Sequence, residues 1–251
     1  MIALIGSGNV ATWVAQRLRN SKEFAIAQVY SRHLEHAQWL ADQVGAVAID
    51  DFRKLDPSCE AYVFTLKDDA YPEALKEIPF QMRAAVHTAG TVSSGMLAPY
   101  AEHYGVLYPL QTFTKSMDMV DMTVPLCVDA QGFGTAESRL MQLARELSPD
   151  CCLMDEKQRA VVHLAAVFAC NFSNAMCGAA DHIMGKHGLD YKILLPLLRQ
   201  TIAKLESLPP AKAQTGPAVR RDYSVMEKHL SMLDEDEKML YERISDYIMK
   251  H

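Results

Sequence analysis

A glycine-rich turn follows directly after a short apolar run, Ile2–Ile5. Glycines at its first and third positions permit a sharp bend and a close approach of the backbone to a phosphate, and Ala11 at its sixth position permits tight helix packing. The next segment has a helical spacing of apolar residues, so its N-terminus would direct N–H groups at an anion. We therefore predict a dinucleotide site, although such a turn can join any strand to any helix. The predicted cofactor-binding residues of the turn are Gly6, Ser7, Gly8, Asn9 and Val10.

The second predicted strand, Phe24–Tyr30, ends without an acidic residue. An NAD site usually carries an acid there, which binds the ribose hydroxyls. Here Ser31 and Arg32 follow instead, and an arginine can pair with a 2′-phosphate. NADP is therefore favoured over NAD as the cofactor. In a compatible alternative, Ser31 caps the predicted helix Leu34–Val44.

Polar residues also follow three later predicted strands. Ligands in open α/β sheets bind beyond the carboxyl ends of the strands, so these residues are expected to line the pocket. Alternatively, Lys67 is a solvated surface lysine and His87 a core histidine. The residues are Thr65, Leu66 and Lys67, then His87, Thr88 and Ala89, and finally Gln111 and Thr112.

A polar stripe interrupts an otherwise apolar predicted helix in the second half of the chain. With about 100° per residue, Cys170 and Asn174 lie within about 20° of His163, and Asn171 lies about 80° away. Buried polar groups need partners, so the stripe faces a cleft or forms a structural network. Histidine titrates near neutrality, which makes His163 a candidate acid/base.

The segment QTGPAVRRD supplies a second candidate group in the same half. A Gly- and Pro-bounded turn with an arginine can bind a carboxylate, which suggests Thr215 and Arg220 as substrate-binding residues. Lys204, one predicted helix earlier, is expected to reach the same cleft. Alternatively, the segment is a helix connection in which Arg220 pairs with Asp222.

The elements that position these residues alternate between strand-like and helical runs up to about Leu153 and are helical afterwards. The alternation predicts an α/β fold, with an N-terminal Rossmann doubly wound parallel sheet and an all-helical C-terminal domain. We place an NADP-binding domain at 1–153 and a helical substrate and dimerisation domain at 154–251. The strand-like runs are Ile2–Ile5, Phe24–Tyr30, Ala46–Ile49, Ala61–Leu66, Ala84–His87, Val106–Leu110, Pro125–Val128 and, as a possible last one, Cys151–Met154.

Composition excludes several other classes of protein. The net charge is −6 with scattered Lys and Arg, which argues against a nucleic-acid partner. No apolar run is expected to reach the ~20 residues of a membrane span, and the N-terminus lacks the basic region of a signal peptide. The six cysteines form no C-x-x-C pair, so free thiols in a reducing cytoplasm are expected. His33 with His36, or His182 with His187, lacks the further ligands of a metal site.

Several short segments of the chain resemble those of known protein families. The opening GSGNVA resembles the GxGNMA of pyrroline-5-carboxylate reductases and of deazaflavin-dependent NADP oxidoreductases, and the predicted domain order resembles the 6-phosphogluconate-dehydrogenase-like superfamily. Over nearly the whole chain, the sequence resembles a bacterial family of uncharacterised proteins that join a Rossmann-like domain to a helical domain of unknown function. The phrases that carry this resemblance are VYSR, VHTAG, YPLQTF, HLAAVFACNF and QTGPAVRRD. It implies the fold and an NADP site, and it implies no particular reaction.

The resemblance also implies roles for individual positions. Residues 65–67 stand where the reductases have a VKP segment near the nicotinamide ribose, and residues 109–112 resemble their MPNT segment beside the substrate. The superfamily commonly places an acid/base residue and an amide on the interdomain helix. The Lys-x-x-x-Asn pair of its hydroxyacid dehydrogenases is absent here, whereas His163 followed by LAAVF resembles the histidine-bearing helix of prephenate dehydrogenases.

The sequence is compatible with two functions. In the first, an NADP-dependent oxidoreductase acts on a small, carboxylate-bearing C=O or C=N substrate between the domains. His163, or with less support His87, moves the proton, while Asn171, Asn174 and Gln111 orient the substrate. In the second, the protein is an NADP-binding sensor or interaction protein without turnover. Polar groups supplied by both halves favour the enzyme. The apolar residues on several faces of the helical half predict a homodimer.

Overall fold

An eight-stranded sheet runs through the first part of the chain in the order β3-β2-β1-β4-β5-β6-β7-β8. The computed structural model describes residues 1–115, 122–134 and 139–251. Strands β1 to β6 are mutually parallel, so their carboxyl ends lie at one edge. The strands are β1 (Ile2–Ile5), β2 (Ile26–Tyr30), β3 (Val47–Ile49), β4 (Ala61–Phe64), β5 (Met82–His87), β6 (Ala101–Pro109), β7 (Leu126–Gly132) and β8 (Cys151–Leu153).

The predicted α/β Rossmann class is confirmed, and the expectation of a wholly parallel sheet is wrong at one position. Strand β7 runs antiparallel to β6, with Pro109 opposite Leu126, and β8 then runs parallel to β7. An antiparallel neighbour needs no crossover helix. In the described parts of the connection, residues 110–115 and 122–125, there is none. Tyr108 consequently lies opposite Cys127 near the edge where the parallel strands end.

Alternating side chains of β1 pack into two cores, one on each face of the sheet. Ile2 and Leu4 contact the layer that contains Trp13 and Leu143, whereas Ala3 and Ile5 belong to the other layer. This alternation follows from the two-residue period of a strand, and both faces are apolar because helices cover both. The helices of this part are α1 (Asn9–Leu18), α2 (Leu34–Val44), α3 (Tyr71–Lys76), α4 (Arg139–Leu147) and α5 (Glu156–Ala166), with short 3₁₀ turns at Phe52–Lys54, Asp68–Ala70 and Ser94–Leu97.

The chain divides into two compact units, Met1–Val167 and Phe168–His251. The sequence-based boundary lay at Leu153, before α5. Helix α5 instead belongs to the first unit, because Arg159 and His163 on it bond to residues of the sheet and its turns. The second unit is helical, as predicted. Its elements are α6 (Ser173–Lys186), α7 (Leu195–Leu205), α8 (Pro210–Ala213), α9 (Tyr223–Leu230) and α10 (Glu235–Lys250), with a 3₁₀ turn at Tyr191–Leu194.

A π-helical segment, Val167–Phe172, joins α5 to α6. The angular spacing of His163, Cys170, Asn171 and Asn174 was counted with α-helical turns throughout. A π turn places its hydrogen bonds five residues apart instead of four, so that count does not hold across the segment. The predicted polar stripe is therefore not supported as a single α-helical face.

The helical segment Glu156–Lys186 spans 31 residues and contains an 18-residue window of mean hydropathy 1.5, none of which is buried. By length and composition alone it could cross a membrane, so the expectation that no apolar run approaches that length is wrong. A single segment of this kind is weak evidence, because a core helix meets the same criterion. Arg159 and His163 near its start bond to the sheet domain.

Candidate functional site

The glycine turn lies where the strand order reverses, between β1 and β4. Ligands of open α/β sheets bind in the crevice at such a point. Gly6 has φ +123°, and a Cβ there would lie 2.3 Å from Thr65 Oγ1. Thr65 is itself fixed, because its N–H and its hydroxyl both donate to the Ile5 carbonyl, at 2.8 and 3.0 Å. Only glycine fits at position 6, and the turn is held close against the end of β4.

The N-terminus of α1 is open at Gly8. Gly8 is the N-cap residue, no heavy atom lies within 4 Å of a Cβ placed on it, and the first turn carries no acid. Within the described part of the chain no side chain caps this helix. Asn9 turns away, since its amide donates to the Phe113 carbonyl at 2.7 Å. Free N–H groups and the helix dipole therefore face a space that a phosphate can occupy.

The tip of β2 lies beside this turn. Ser7 Oγ donates to Ser31 Oγ at 3.1 Å, and the Ser31 N–H donates to the Ile49 carbonyl at 3.1 Å. The cap position of α2 is His33, so the alternative that Ser31 caps this helix is wrong. Arg32 is exposed next to it. A cation thus stands at the tip of the strand where a 2′-phosphate would lie.

His87 ends β5 and is completely buried. Its Nδ1 accepts a hydrogen bond from the Ala89 N–H at 3.2 Å, which leaves the proton on Nε2, 3.3 Å from the Ser93 carbonyl. Burial lowers the pKa of His87 to about 4 from its ordinary value near 6.5. Both ring nitrogens therefore hold the turn that follows β5. This is the core-histidine alternative, and it leaves neither nitrogen available to exchange a proton with a substrate.

Acid should destabilise the protein through His87. Above pH 6.5 the imidazole is neutral in both the folded and the unfolded chain. Between pH 6.5 and 4 the unfolded chain binds a proton that the folded chain does not, so stability falls, by on the order of 3 kcal/mol at the lower limit. Urea unfolding at pH 7 and pH 4.5 measures the loss. His87→Gln should show a smaller loss over this interval, and an equal loss in both proteins would contradict the assignment.

Arg159 fixes α5 to this same turn. The guanidinium is completely buried, with Nε donating to the Gly90 carbonyl at 3.2 Å and Nη2 to the Val92 carbonyl at 2.6 Å. Its Nη1 pairs with Asp129 on β7 at 3.0 Å, and this carboxylate is also buried. At the same end of the helix, Ser93 donates to Glu156 at 2.5 Å. These bonds hold the turn after β5 against helix α5.

His163 lies one helical turn beyond Arg159, above Gly90. Its Nδ1 is 3.0 Å from the hydroxyl of Tyr108, and the two rings meet edge to face. A Cβ on Gly90 would lie 2.7 Å from His163 Nδ1 and 3.2 Å from Tyr108 Cζ. Glycine at this position therefore lets both rings rest on the turn.

These groups lie in a row that follows the strand order. Ser31 and Arg32 follow β2, the glycine turn follows β1, Thr65 follows β4, and the turn with Gly90 follows β5. Tyr108 on β6 completes the row. Four inter-strand spacings of about 4.8 Å separate β2 from β6, or about 19 Å. The row has the open N-terminus of α1 toward one end and the Tyr108–His163 pair at the other.

The other predicted residues of the first unit fall into three groups. Thr65 and Leu66 are half-buried, and Lys67 is exposed. Thr88 and Ala89 are buried, and the Thr88 hydroxyl donates to the Phe64 carbonyl at 3.3 Å. Gln111 and Thr112 are exposed and bond to each other, with the Thr112 N–H donating to Gln111 Oε1 at 2.8 Å.

The predicted groups of the second unit are exposed in the structure of that unit. Thr215 borders an apolar pocket of about 470 Å³, which is lined mainly by α6 and α10. The roles predicted for these residues stay predictions. They are Asn171, Asn174, Lys204, Thr215 and Arg220.

One cluster of metal-ligand type occurs among the described residues, in the second unit. His182, Asp234 and Glu237 offer atoms within 4.8 Å of one another. The sequence had singled out His182 without finding carboxylates to accompany it. The ammonium group of Lys186 bonds to both carboxylates, so a cation of the protein already pairs with them.

Four residues of the site were not recognised as functional groups from the sequence. Gly90 and Tyr108 lie in the phrases VHTAG and YPLQTF, but nothing local shows that they meet. Arg159 could have been recognised, because it is a charged residue on an otherwise apolar helix, one turn before His163. A charge that becomes buried there needs a partner. Asp129 was a lone acid in an apolar strand, which is the pattern of a buried ion pair.

The comparisons with known proteins agree with this fold. Residues 124–248 match the family described as a domain of unknown function (DUF2520). A structure described as a putative NADP oxidoreductase from Bacteroides fragilis is 38% identical, with a TM-score of 0.91 over 100% of this chain and 98% of that one. The chain therefore belongs to this DUF2520 family of Rossmann-type proteins, as the resemblance implied. No protein of curated function matches the chain in sequence.

More distant structures share the fold. A reductive aminase from Aspergillus terreus, solved with NADPH and ethyl-5-oxohexanoate, is 14% identical with a TM-score of 0.73 over 96% of this chain and 92% of that one. A 1-pyrroline-5-carboxylate reductase from Streptococcus pyogenes is 16% identical with a TM-score of 0.66 over 100% and 98%. At these identities the likeness concerns architecture only, and the site must be argued from this chain's own residues.

Proposed function

We propose that this protein is an NADP-dependent oxidoreductase that transfers a hydride to or from a small C=O or C=N compound. The observation that carries the proposal is the row of strand-end groups, which runs from the uncapped helix N-terminus to the Tyr108–His163 pair. The described relatives named as NADP oxidoreductase and as reductive aminase with NADPH support the cofactor.

The residues present fit such a cofactor. Gly6 and Gly8 form a cradle that a Cβ at position 6 would fill, and the N–H groups of α1 would hold the pyrophosphate. Ser31 and Arg32 would hold the 2′-phosphate, while Thr65, Leu66 and the turn after β5 would flank the nicotinamide end. The bound cofactor supplies or accepts the hydride.

His163 handles the proton that accompanies the hydride. In the direction of reduction, the imidazolium donates a proton to the substrate nitrogen or oxygen, and in oxidation the neutral ring accepts it. The substrate class is proposed to carry a carboxylate, for which Arg220 and Lys204 are the proposed cationic partners. Asn171, Asn174 and Gln111 are proposed to orient it.

NADPH should bind more tightly than NADH. Arg32 pairs with the 2′-phosphate and no acid at the tip of β2 repels it, so the preference should depend on this guanidinium. Fluorescence titration of both nucleotides with the wild type and Arg32→Ala tests this expectation, and Arg53→Ala, a surface arginine paired with Asp51, serves as control. Equal affinities in the wild type, or an Arg32→Ala variant that keeps the preference, would contradict the proposal.

We also propose a homodimer formed through the helical unit. Within residues 168–251, the buried residues are Ala218, Met226 and Ser245, whereas four large apolar side chains are 62–68% exposed. Exposed apolar surface of this kind often marks a protein–protein interaction site. Light scattering at micromolar concentration should give twice 28.0 kDa, and a monomer mass would exclude the dimer. The apolar side chains concerned are Phe168, Ile193, Leu197 and Ile202.

A cytoplasmic location is part of the same proposal. The six cysteines form no disulfide in the structure, and free thiols are typical of proteins in a reducing compartment. The absence of nucleic-acid and membrane partners stays a prediction from the sequence.

A further inference from the structure

We propose that Asn9 is a positioning residue for the substrate. Its side-chain amide holds segment 110–115, which follows β6, against the N-terminus of α1, and so fixes the place of Gln111, which is proposed to orient the substrate. The role in substrate binding rests on the proposed oxidoreductase function, whereas the hold on the segment does not.

Segment 110–115 runs along the edge at which the parallel strands end. At its start, the Leu110 N–H donates to the Pro125 carbonyl at 2.8 Å. Three residues further on, the Asn9 side chain on the first turn of α1 donates to the Phe113 carbonyl at 2.7 Å. In the sheet, β5 and β4 lie between β6 and β1. The segment therefore passes the strand ends to which we assign the nicotinamide end of the cofactor.

Two ring contacts add to this attachment. The Phe113 ring stacks on Trp13 of α1, with centroids 5.3 Å apart and planes at 27°. Trp13 is completely buried, and Phe113 packs against the same core. At its far end the segment reaches α2, where the Lys115 ammonium lies 5.3 Å from the centre of the Trp39 ring. The segment is thus attached to α1 by a polar and an apolar contact, and to α2 by a cation–π contact.

The chemistry of the Asn9 contact requires an amide. Its acceptor is a backbone carbonyl, so the amide nitrogen must face it, and a carboxylate at this position would place two acceptors against each other. The side chain is consequently occupied and does not cap α1, while the backbone N–H of the same residue stays at the open end of the helix. Asn9 therefore links the end of α1 that is assigned to the pyrophosphate with the segment that is assigned to the substrate.

Gln111 is the group that this arrangement places. Its backbone N–H donates to the Pro109 carbonyl at 3.0 Å, and its Oε1 accepts from the Thr112 N–H at 2.8 Å. Its Nε2 donates to the sulfur of Met122 at 3.3 Å. A thioether is a weak acceptor, so Nε2 can exchange this contact for a substrate oxygen. Because the segment is already ordered, the substrate does not lose affinity by ordering it.

Tryptophan fluorescence measures the hold on the segment without any substrate. The chain has two tryptophans, and Trp39→Phe leaves Trp13 as the single reporter. In this background, Asn9→Ala should raise the quenching of Trp13 by acrylamide and shift its emission to the red, because Phe113 then covers the indole less of the time. Phe113→Leu should act in the same direction as a second, independent variant. Lys115→Ala changes only the α2 end and should leave the Trp13 signal unchanged.

With a substrate in hand, Asn9→Ala should raise KM for the organic substrate about two- to tenfold, the range that corresponds to one neutral hydrogen bond. The affinity for NADPH should change less, since the backbone N–H groups of α1 remain. A residue that only stabilised the fold would lower the urea midpoint and leave this KM unchanged. A double-mutant cycle identifies the group through which Asn9 acts: in a Gln111→Ala background, Asn9→Ala should have no further effect on KM.

Unchanged Trp13 quenching in Asn9→Ala would overturn the proposal, and so would independent effects of Asn9→Ala and Gln111→Ala on KM. If the quenching rises as expected while no compound consumes NADPH, the hold of Asn9 on the segment stands and the oxidoreductase function fails. If turnover occurs and Asn9→Ala retains the wild-type KM, Asn9 has no role in substrate binding and the inference fails.

Discussion

Replacement of Arg159 by methionine should lower the free energy of unfolding by about 3–5 kcal/mol, because it leaves the Asp129 carboxylate buried without its charge partner. The guanidinium and the carboxylate are 0% and 1% exposed, so water cannot replace the lost partner. Arg159 also satisfies the carbonyls of Gly90 and Val92, and the variant leaves these carbonyls without it. The midpoint of urea unfolding at constant slope measures the loss.

Arg139 provides the matched control. Like Arg159, it forms ion pairs, here with the two carboxylates of Glu23 and Glu60. Its side chain, however, is 39% exposed. Exposed ion pairs contribute about 1 kcal/mol or less, so Arg139→Met should cost far less than Arg159→Met. A double variant, Arg159→Met with Asp129→Asn, should recover part of the loss because the buried charge is gone. If Arg159→Met and Arg139→Met lowered the free energy of unfolding equally, burial would not make the Arg159–Asp129 pair more important for stability than an exposed pair.

The glycine turn and the open N-terminus of α1, to which we assign the cofactor, could be predicted from the sequence because their determinants are local. Gly6, Gly8 and the first turn of α1 stand within a few residues of one another, and the glycine requirement at position 6 follows from one tight turn. The parallel order of the first strands follows equally from the alternation of strands and helices. The reversal at β7 could not be predicted this way, since a connection without a helix is compatible with more than one strand direction.

The Tyr108–His163 end of the site depends on contacts between distant parts of the chain. Tyr108 and His163 are 55 positions apart, and Arg159 and Gly90 are 69 apart. No periodicity reports such pairs. The π-helical segment at Val167–Phe172 has no signal in the hydrophobic spacing, so an α-helical count carried through it gave a polar stripe that the structure does not support. Sequence spacing identified His163, and only the fold showed what holds it.

Replacement of His163 by asparagine should lower turnover by ~10²–10⁴-fold, which is the usual contribution of a positioned proton donor or acceptor. Asparagine can still bond to the Tyr108 hydroxyl, but it cannot exchange a proton at neutral pH. NADPH affinity and the urea midpoint should stay close to the wild type, because the half-buried ring lies at the opposite end of the row from the glycine turn. Consumption of NADPH with a panel of small keto and imino acids provides the assay.

His103 offers a control for this substitution, since it lies on β6, the strand that carries Tyr108, but is exposed and five residues nearer the strand's N-terminus. His103→Asn should retain turnover, whereas Asn171→Ala and Asn174→Ala should raise KM for the organic substrate if they orient it. Full activity in His163→Asn would assign the proton to another group and leave His163 a packing role. Tight NADPH binding without turnover of any compound would instead favour a nucleotide sensor, because the cofactor half of the row would then act alone.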